Sequence, residues 1–434
     1  MLNGIFIVVV LFSILLAAAT GRLDAVTTEL LGQATNAVTL AIKLVGAMTL
    51  FIGLMKVAED GGLLRILSRA LRPVMTRLFP AVPAEHPAMS AMILNIASNM
   101  MGLANAATPF GIRAMEQLDK LNGRKGTATN AMVLFLAINT SGLAVLPSGV
   151  IALRASLGSH DAAGIFFSTW FSSGCATLVG VGAAMLLMRL PRFRATEPPH
   201  VTAEPDAEPA AEVPGSESGR RAADPSRLRR LLALAYVAGF FLLLGRHVWV
   251  ALGTAPALEV VRGVMSDWTL AGIVAAIVLF GWARGVDVYG SLVEGGKEGF
   301  QVALRIIPFL VAILAMVGML RAAGGIDLLV AGLGPLTERI GMPAEALPMA
   351  LLRPLSGSGA YGVMAAIMEQ HGPDSFIGYL VSTLQGSTET TFYVLAVYFG
   401  AVGIKRTRHA LPACLAADVA GLSAATLIVN VLFG

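Results

Sequence analysis

Long apolar stretches alternate with short polar loops along this chain, and most of the stretches have membrane-crossing length. Residues 2–19, 34–55, 127–157 and 162–188 read as spanning helices, followed by 231–252, 268–282, 302–319, 375–403 and 411–433. A helix needs about 20 residues to cross the hydrocarbon, so 127–157 and 375–403 are each too long for one straight pass. Both contain a polar run. In the first it is N-T-S-G, from Asn139 to Gly142; in the second it is Q-G-S-T-E-T-T, from Gln385 to Thr391. Lipid cannot solvate the Glu389 carboxylate, which must be paired, protonated or turned to a water-filled cavity. Backbone that leaves the helix is tolerated there only where protein or a cavity surrounds it. Each long stretch is therefore expected to be a broken helix, or a hairpin followed by a helix. Interrupted helices near the midplane are where transporters bind their substrates.

Composition fixes the class. Of 434 residues, 56% are hydrophobic and only 13% charged, and the mean hydropathy is +0.74. A soluble domain carries about a quarter charged residues, so the chain reads as an all-α polytopic membrane protein. The ten-residue alternation of a transmembrane barrel is absent. The first twenty residues lack a basic leader and read as a first spanning helix, not a cleaved signal peptide. The net charge is +4 and the arginines sit in loops, which gives a nucleic-acid partner no support. Cys175 and Cys414 lie in apolar segments and read as packing residues. The six histidines show no ligand spacing, so no metal site or cofactor is expected.

Residues 191–230 are rich in Pro, Ala, Glu and Arg, too poor in apolar side chains to fold, and read as a disordered linker between membrane halves 1–190 and 231–434. The halves repeat one another. Gly53-Leu-Met-Lys56 followed by Gly61-Gly62-Leu63 matches Gly318-Met-Leu-Arg321 followed by Gly324-Gly325-Ile326. An amphipathic segment comes next in each, then Pro83-Ala84 or Pro343-Ala344. Glycine- and serine-rich runs follow, 94–115 and 352–368, and then the two long stretches.

Equivalent loops carry opposite charge bias. Copy one has Arg65, Arg69, Arg72 and Arg77, then Arg113, Lys120, Arg124 and Lys125; copy two has Asp327, Glu338, Arg339 and Glu345, then Glu369, His371 and Asp374. The bias reverses between Ser159-His160-Asp161 and Lys405-Arg406-Thr407-Arg408. Basic residues collect on the cytoplasmic side. The expected architecture is thus two inverted-topology repeats, each with a re-entrant hairpin and a broken helix, in a bacterial inner (plasma) membrane. The N-terminus and the linker would then be cytoplasmic.

Four polar runs are expected to converge between the repeats. Copy one supplies Asn95, Ser98, Asn99, Asn105 and Thr108, then Asn139, Thr140 and Ser141. Copy two supplies Arg353, Ser356, Ser358 and Tyr361, then the run from Gln385 to Thr391 with Gln385, Ser387, Thr388, Glu389 and Thr390 as its candidate site residues. Amides donate and accept, so they can read the edge of a small polar solute. Small and amide residues also glue membrane helices together, at about 0.6 kcal/mol per hydrogen bond. Three amides on one short hairpin favour function for Asn95, Asn99 and Asn105; for Ser98, Ser356 and Ser358 packing and function fit equally. Glu389 costs roughly 2.5 to 3.5 kcal/mol at the bilayer centre, and copy one has no counterpart near Ala144. It suits a proton carrier or a sodium ligand, or a structural ion pair with Arg353. Asp418, in L-A-A-D-V-A-G, is a second intramembrane acid and a candidate relay or ion ligand. Arg154, without an acid in copy one, is expected to snorkel to the surface. Arg65, Arg69, Arg72 and Arg77 at helical spacing read as an interfacial helix on anionic lipid headgroups.

The run from Asn95 to Met115, N-I-A-S-N-M-M-G-L-A-N-A-A-T-P-F-G-I-R-A-M, closely resembles the hallmark of the spore maturation A family. R-P-L-S-G-S-G from Arg353, G-P-D-S-F-I-G from Gly372 and the run from Leu384 to Arg408 resemble spore maturation B. The chain thus resembles a fusion of the two, within the nucleoside-recognition or Gate superfamily, which also holds nucleoside transporters and the membrane part of the ferrous-iron transporter. That resemblance implies re-entrant hairpins and a transport role. In the nucleoside transporters a Gln-Thr-Glu run touches substrate, and Gln385, Thr388 and Glu389 look similar. The iron transporter's hairpin cysteine has no equivalent at residues 357–359 or 102–105, which argues against soft-metal cargo.

The leading expectation is secondary transport of a small polar solute or envelope-related metabolite, coupled to a proton or sodium. An intramembrane enzyme acting on lipid-linked or peptidoglycan precursors is the alternative, although no nucleophile–histidine–acid set stands in the sequence. A non-transporting assembly factor in envelope maturation is the third reading. Both a monomer and a homo-oligomer remain open.

Overall fold

The computed structural model describes residues 2–101, 104–143, 147–199, 201, 227–254 and 256–434. The described residues form helices and no β-strand, apart from an isolated bridge between Thr127 and Arg406. In chain order the first half has α1 (Leu2–Thr20), α2 (Leu23–Asp60), α3 (Leu63–Leu78), α4 (Pro87–Met100), α5 (Ala104–Lys120), α6 (Asn130–Ser141), α7 (Ser148–Ser156), α8 (Phe166–Leu187) and α9 (Pro191–Arg194). The second has α10 (Arg227–Leu252), α11 (Ala257–Asp267), α12 (Thr269–Ala283), α13 (Val288–Ala322), α14 (Gly325–Thr337), α15 (Leu347–Leu352), α16 (Gly357–His371), α17 (Phe376–Ser387), α18 (Thr391–Ala401) and α19 (Ala410–Phe433). Four of these, α2, α8, α10 and α19, are long and apolar enough to cross a membrane alone. The polytopic, all-helical class holds.

The same order of elements runs twice: a very long helix, a short amphipathic one, a helical hairpin, a broken helix and a final long helix. The two very long helices, α2 and α13, pack on each other through small residues. A Cβ on Gly53 would lie 2.5 Å from Leu292 O, and one on Gly299 2.7 Å from Met48 O. Gly295 and Gly299, four residues apart, let the backbones approach closely, which is how apolar helices associate where lipid removes the hydrophobic drive. α2 has 38 residues, about 57 Å at 1.5 Å per residue, well beyond the ~30 Å hydrocarbon.

The final helices α8 and α19 pair in opposite directions. Ser168, near the start of α8, bonds Thr383 of α17 through hydroxyls 2.8 Å apart, while Gly180 further along faces Ala137 O of α6. α19 does the reverse. Cys414 near its start shares a buried cluster with α6 residues, and Phe433 at its end stacks on Tyr379 of α17 at 3.9 Å. The half-helices α6 and α17 therefore enter from opposite ends of the α8/α19 pair and meet by their C-termini near its middle. The second half of each broken helix runs back along the partner half: Phe135 of α6 stacks with Tyr398 of α18 at 6.1 Å.

Two expectations change here. Arg154 does not snorkel. It is fully buried, donates to Asp374 Oδ1 at 2.9 Å, Pro373 O, Ser382 Oγ and Asp161 O, and stands 4.3 Å over the Tyr379 ring. Its acid comes from copy two, 220 residues away, where no local reading could find it. The segment expected as linker is also structured at both ends. Residues 191–199 include α9 and dock on the loop after α18: Arg408 donates to Glu197, Phe193 O, Asn130 Oδ1 and Ala128 O, and α10 begins at Arg227. The Glu197 carboxylate, the Thr196 hydroxyl and the Phe193 carbonyl of the strap bind Arg408, so a shortage of apolar residues does not leave it unanchored. Residues 202–226, the centre of that segment, lie outside the described residues.

Candidate functional site

Each half-helix ends in a different way. α6 keeps Asn139, Thr140 and Ser141 helical and buried in its last turn, and stops at Gly142 in the left-handed region, φ 47°. Only glycine adopts that conformation without strain, and a Cβ there would also lie 2.7 Å from Glu389 Cγ. α17 keeps Gln385, Gly386 and Ser387 helical, so the interruption is shorter than the polar run: only Thr388, Glu389 and Thr390 are non-helical before α18 begins at Thr391. The two interruptions touch. The Glu389 N–H donates to Thr140 O at 2.7 Å, and Phe392 N–H donates to Pro354 O at 3.0 Å, tying α18 to the turn of the second hairpin.

Arg353 ends α15 and is 3% exposed. Its guanidinium stands 3.6 Å from Glu389 Oε2, donates to Thr388 O, and reaches Thr390 Oγ1 at 3.4 Å. One arginine thus binds the whole extended segment. The Glu389 side chain is 52% exposed, so its carboxylate is paired on one side and open on the other. Asp418 lies behind the break, 2% exposed, and its Oδ2 accepts from Thr391 Oγ1 at 2.7 Å.

A cavity of about 180 Å³ adjoins the first interruption. Asn99, Asn139, Gly142 and Thr177 supply its polar edge; Ile96, Met100, Ile138 and Val181 supply apolar wall, and Leu71, Val74, Met75 and Leu78 of α3 close it. Asn99 Nδ2 donates to Asn139 Oδ1 at 2.9 Å, and Asn139 Nδ2 donates to Phe135 O at 2.9 Å. The Asn139 orientation is therefore held while Asn99 sits on the cavity edge. A larger cavity, about 240 Å³, lies under the 191–199 strap between Phe79, Leu118, Leu134 and Met185; none of the expected site residues lines it.

The structure brings Asn99, Asn139, Thr388, Glu389, Thr390, Arg353 and Asp418 around the touching tips. Other expected residues have bonds of a structural kind. Asn95 is fully buried and braces the first hairpin, donating to Ala107 O at 2.7 Å and the Tyr398 hydroxyl at 3.1 Å. Thr140, Ser141 and Ser387 bond back to carbonyls of their own helices, the usual resting place of a mid-helix hydroxyl. Ser356 caps α16 by accepting from Gly359 N–H at 3.0 Å, with Ser358 3.5 Å away. Ser98 is buried within the hairpin, on α4, and Gln385 is half-buried. The side chain of Asn105, and the Ala144 region aligned with Glu389, lie outside the described residues. Arg65, Arg69, Arg72 and Arg77 all lie on the exposed face of α3, where Arg72 pairs with Glu85 at 2.7 Å.

Two contributors escaped the sequence reading. Tyr398 was legible only as a polar atom in an apolar helix, and α3 read as a lipid helix whose other face was unassigned.

An interrupted-helix membrane protein of this kind fits the nucleoside recognition (Gate) family, whose sequence model matches residues 41–157 and 303–405. The chain belongs to that family. Among curated proteins it is 49% identical over 162 residues to spore maturation protein B of Bacillus subtilis (strain 168), covering 37% of this chain and 91% of that protein. It is 40% identical over 187 residues to spore maturation protein A of the same organism, covering 43% of this chain and 93% of that protein. Each relative is thus matched almost whole by a part of this chain, as in a fusion of the two. Among solved structures it is similar to the YdaH transporter of Alcanivorax borkumensis, with 15% identity, a TM-score of 0.45, and coverage of 94% of this chain and 88% of that one.

Proposed function

We propose that this protein is a secondary transporter that binds a small polar solute where the two interrupted helices meet, coupled to movement of a proton or sodium. The observation that carries the reading is the contact between the tips, Glu389 N–H to Thr140 O at 2.7 Å, beside a cavity edged by Asn99 and Asn139. Non-helical backbone at membrane depth is tolerated where it lines a cavity, and half-helix ends facing a shared cavity are how transporters hold solutes. Membership of the Gate family supports the same reading. The cavity is mainly apolar with an amide edge, which suits a compact solute with one hydrogen-bonding face and an apolar body. Glu389, open on one side, is the group that changes charge or partner during the cycle.

In this proposal the two element series are inverted repeats, residues 1–190 and 231–434 forming the halves and 191–230 the cytoplasmic linker, in the bacterial inner membrane. The entry of α6 and α17 from opposite ends of α8/α19 supports it. The arginine face of α3 rests on anionic headgroups. Reconstituted protein tested against metabolite classes should accumulate one class, and Asn139→Ala and Glu389→Gln should each lower the flux at least tenfold with the fold intact. Flux unchanged in both variants would remove the tips from the mechanism. Chemical change of the solute, read by mass spectrometry, would replace transport with catalysis.

A further inference from the structure

Behind the second interruption, two buried oxygen atoms have no hydrogen-bond partner: Asp418 Oδ1 and Thr388 Oγ1. Their residues are 2% and 1% exposed. They lie together. Thr388 Cγ2 would be 2.6 Å from a Cβ at Gly421, one helical turn from Asp418 on the same face of α19, and the Ser387 carbonyl oxygen would be 3.2 Å from that Cβ. Because α17 stops at Ser387, its last carbonyls lack intrahelical partners and carry the negative end of the helix dipole. A carboxylate oxygen, a hydroxyl oxygen and the Ser387 carbonyl thus lie around one place, and the absent side chain at Gly421 lets α19 approach it.

We infer that Asp418, Thr388 and the Ser387 carbonyl at the end of α17 form a binding site for a monovalent cation, sodium in the test below. Two arguments select this occupant. The first is charge. With all groups ionised, Arg353 answers one of the two acids, Glu389 and Asp418, leaving one negative charge in excess. Among the described residues of the elements packed there no further charged group is found: α6, α8, α17 and α18 carry no charged residue, and the titratable groups on them and beside Asp418 on α19 are the phenols of Tyr379, at the far end of α17, Tyr393 and Tyr398 and the Cys414 thiol. A monovalent cation neutralises the excess, and a divalent one overshoots it. The second is donor type. A proton on Asp418, whose carboxylate the Thr388 hydroxyl already reaches, would remove the charge but leave the Ser387 carbonyl unanswered. An alkali cation uses all three, since hard cations take oxygen ligands.

The site would also link the ion to the solute. Thr388 is the first residue of the break, Glu389 is the second, and Arg353 holds both, so occupancy behind the break fixes the segment that faces the cavity in front. That role rests on the transport reading; the binding does not.

The test therefore measures binding on purified full-length protein in detergent. Thermal unfolding is followed while sodium chloride replaces choline chloride at constant ionic strength. A saturable rise in melting temperature with sodium is expected. Asp418→Asn should abolish it, Thr388→Val should weaken the half-saturating sodium concentration by about tenfold, and Thr388→Ser should retain it. Glu294→Gln, an exposed acid far from the break, should respond as the parent does. Should Asp418→Asn fail to fold, the Thr388 pair decides. No sodium response in the parent, or equal responses in Thr388→Val and the parent, overturns the site. A response that follows pH and ignores sodium replaces the cation with a proton. Sodium binding without solute flux would overturn the transport reading and leave the site standing.

Discussion

The two interruptions hold the same place in the repeated order of elements and are chemically unlike. At the first, a left-handed glycine turns the chain, the flanking polar groups are amides and hydroxyls, and none of Asn139 to Gly142 is charged. At the second, three extended residues are clamped by a buried arginine between two acids. The neutral break shapes a cavity, and the charged break is organised around a cation. The two breaks thus share a place in the order of elements and differ in electrostatics. Such a division suits a site in which one side recognises a solute and the other responds to charge.

Removing the clamp should separate the two breaks most. Arg353→Leu leaves the buried Thr388 carbonyl without its charged donor and the half-exposed Glu389 without its partner; losing a hydrogen bond to a charged group costs about 1.5 to 3 kcal/mol, and the solvent-screened ion pair adds at most about 1 kcal/mol. Chemical or thermal unfolding should show a loss of that size, and Asn139→Ala should show far less. Gly142→Ala attacks the neutral break through its backbone. A side chain in the left-handed region costs about 1 to 3 kcal/mol, and the Cβ must displace Glu389. The expected result is reduced stability together with altered solute affinity, the latter by the coupling of the two tips. A stability loss without any change at the solute site would argue that the breaks act independently.

The two docked ends give a milder contrast. Arg154 with Asp374 closes one, and Arg408 with Glu197 closes the other, where His409 precedes α19. Burial, and then the adjacent Arg408, hold the His409 pKa at about 4, below its ordinary value of about 6.5. The unfolded chain therefore takes up the proton first. Stability should be level above about pH 6.5 and fall as the pH drops toward 4, by about 1 kcal/mol at pH 5.5. His409→Gln should flatten that part of the profile, and Asp374→Asn should not. The smallest effect belongs to Asn139→Ala. Loss of its membrane hydrogen bonds costs about 0.6 kcal/mol each, so its main signature is in solute binding.

Much of this arrangement was legible in the sequence. The over-long stretches 127–157 and 375–403 had to break because no single helix of that length fits the hydrocarbon, and they break at Gly142 and at Thr388. Leu94 to Met115 announced a hairpin by its small residues, and α4 and α5 form one. The pairing of Glu389 with Arg353 was readable because a lone acid in an apolar segment requires a partner, and few cations were on offer. What local pattern could not show was distance-independent pairing. Arg154 met Asp374, Arg408 met Glu197, and Asn95 met Tyr398 across hundreds of residues. Asn95, Ser356 and Ser141 have side chains indistinguishable in type from those at the cavity, yet they brace, cap or fold back on their own helices.

The sequence by itself determined the solvent, the helices and their breaks, because lipid penalises every unpaired polar group and so writes its demands directly into hydropathy and length. The tertiary structure alone decided which polar atoms were spent on holding the fold and which were left over. That choice depends on the antiparallel packing of α8 with α19, which brings two half-helices tip to tip and places Asp418 and Thr388 against orphaned carbonyls. No residue's identity encodes that neighbourhood.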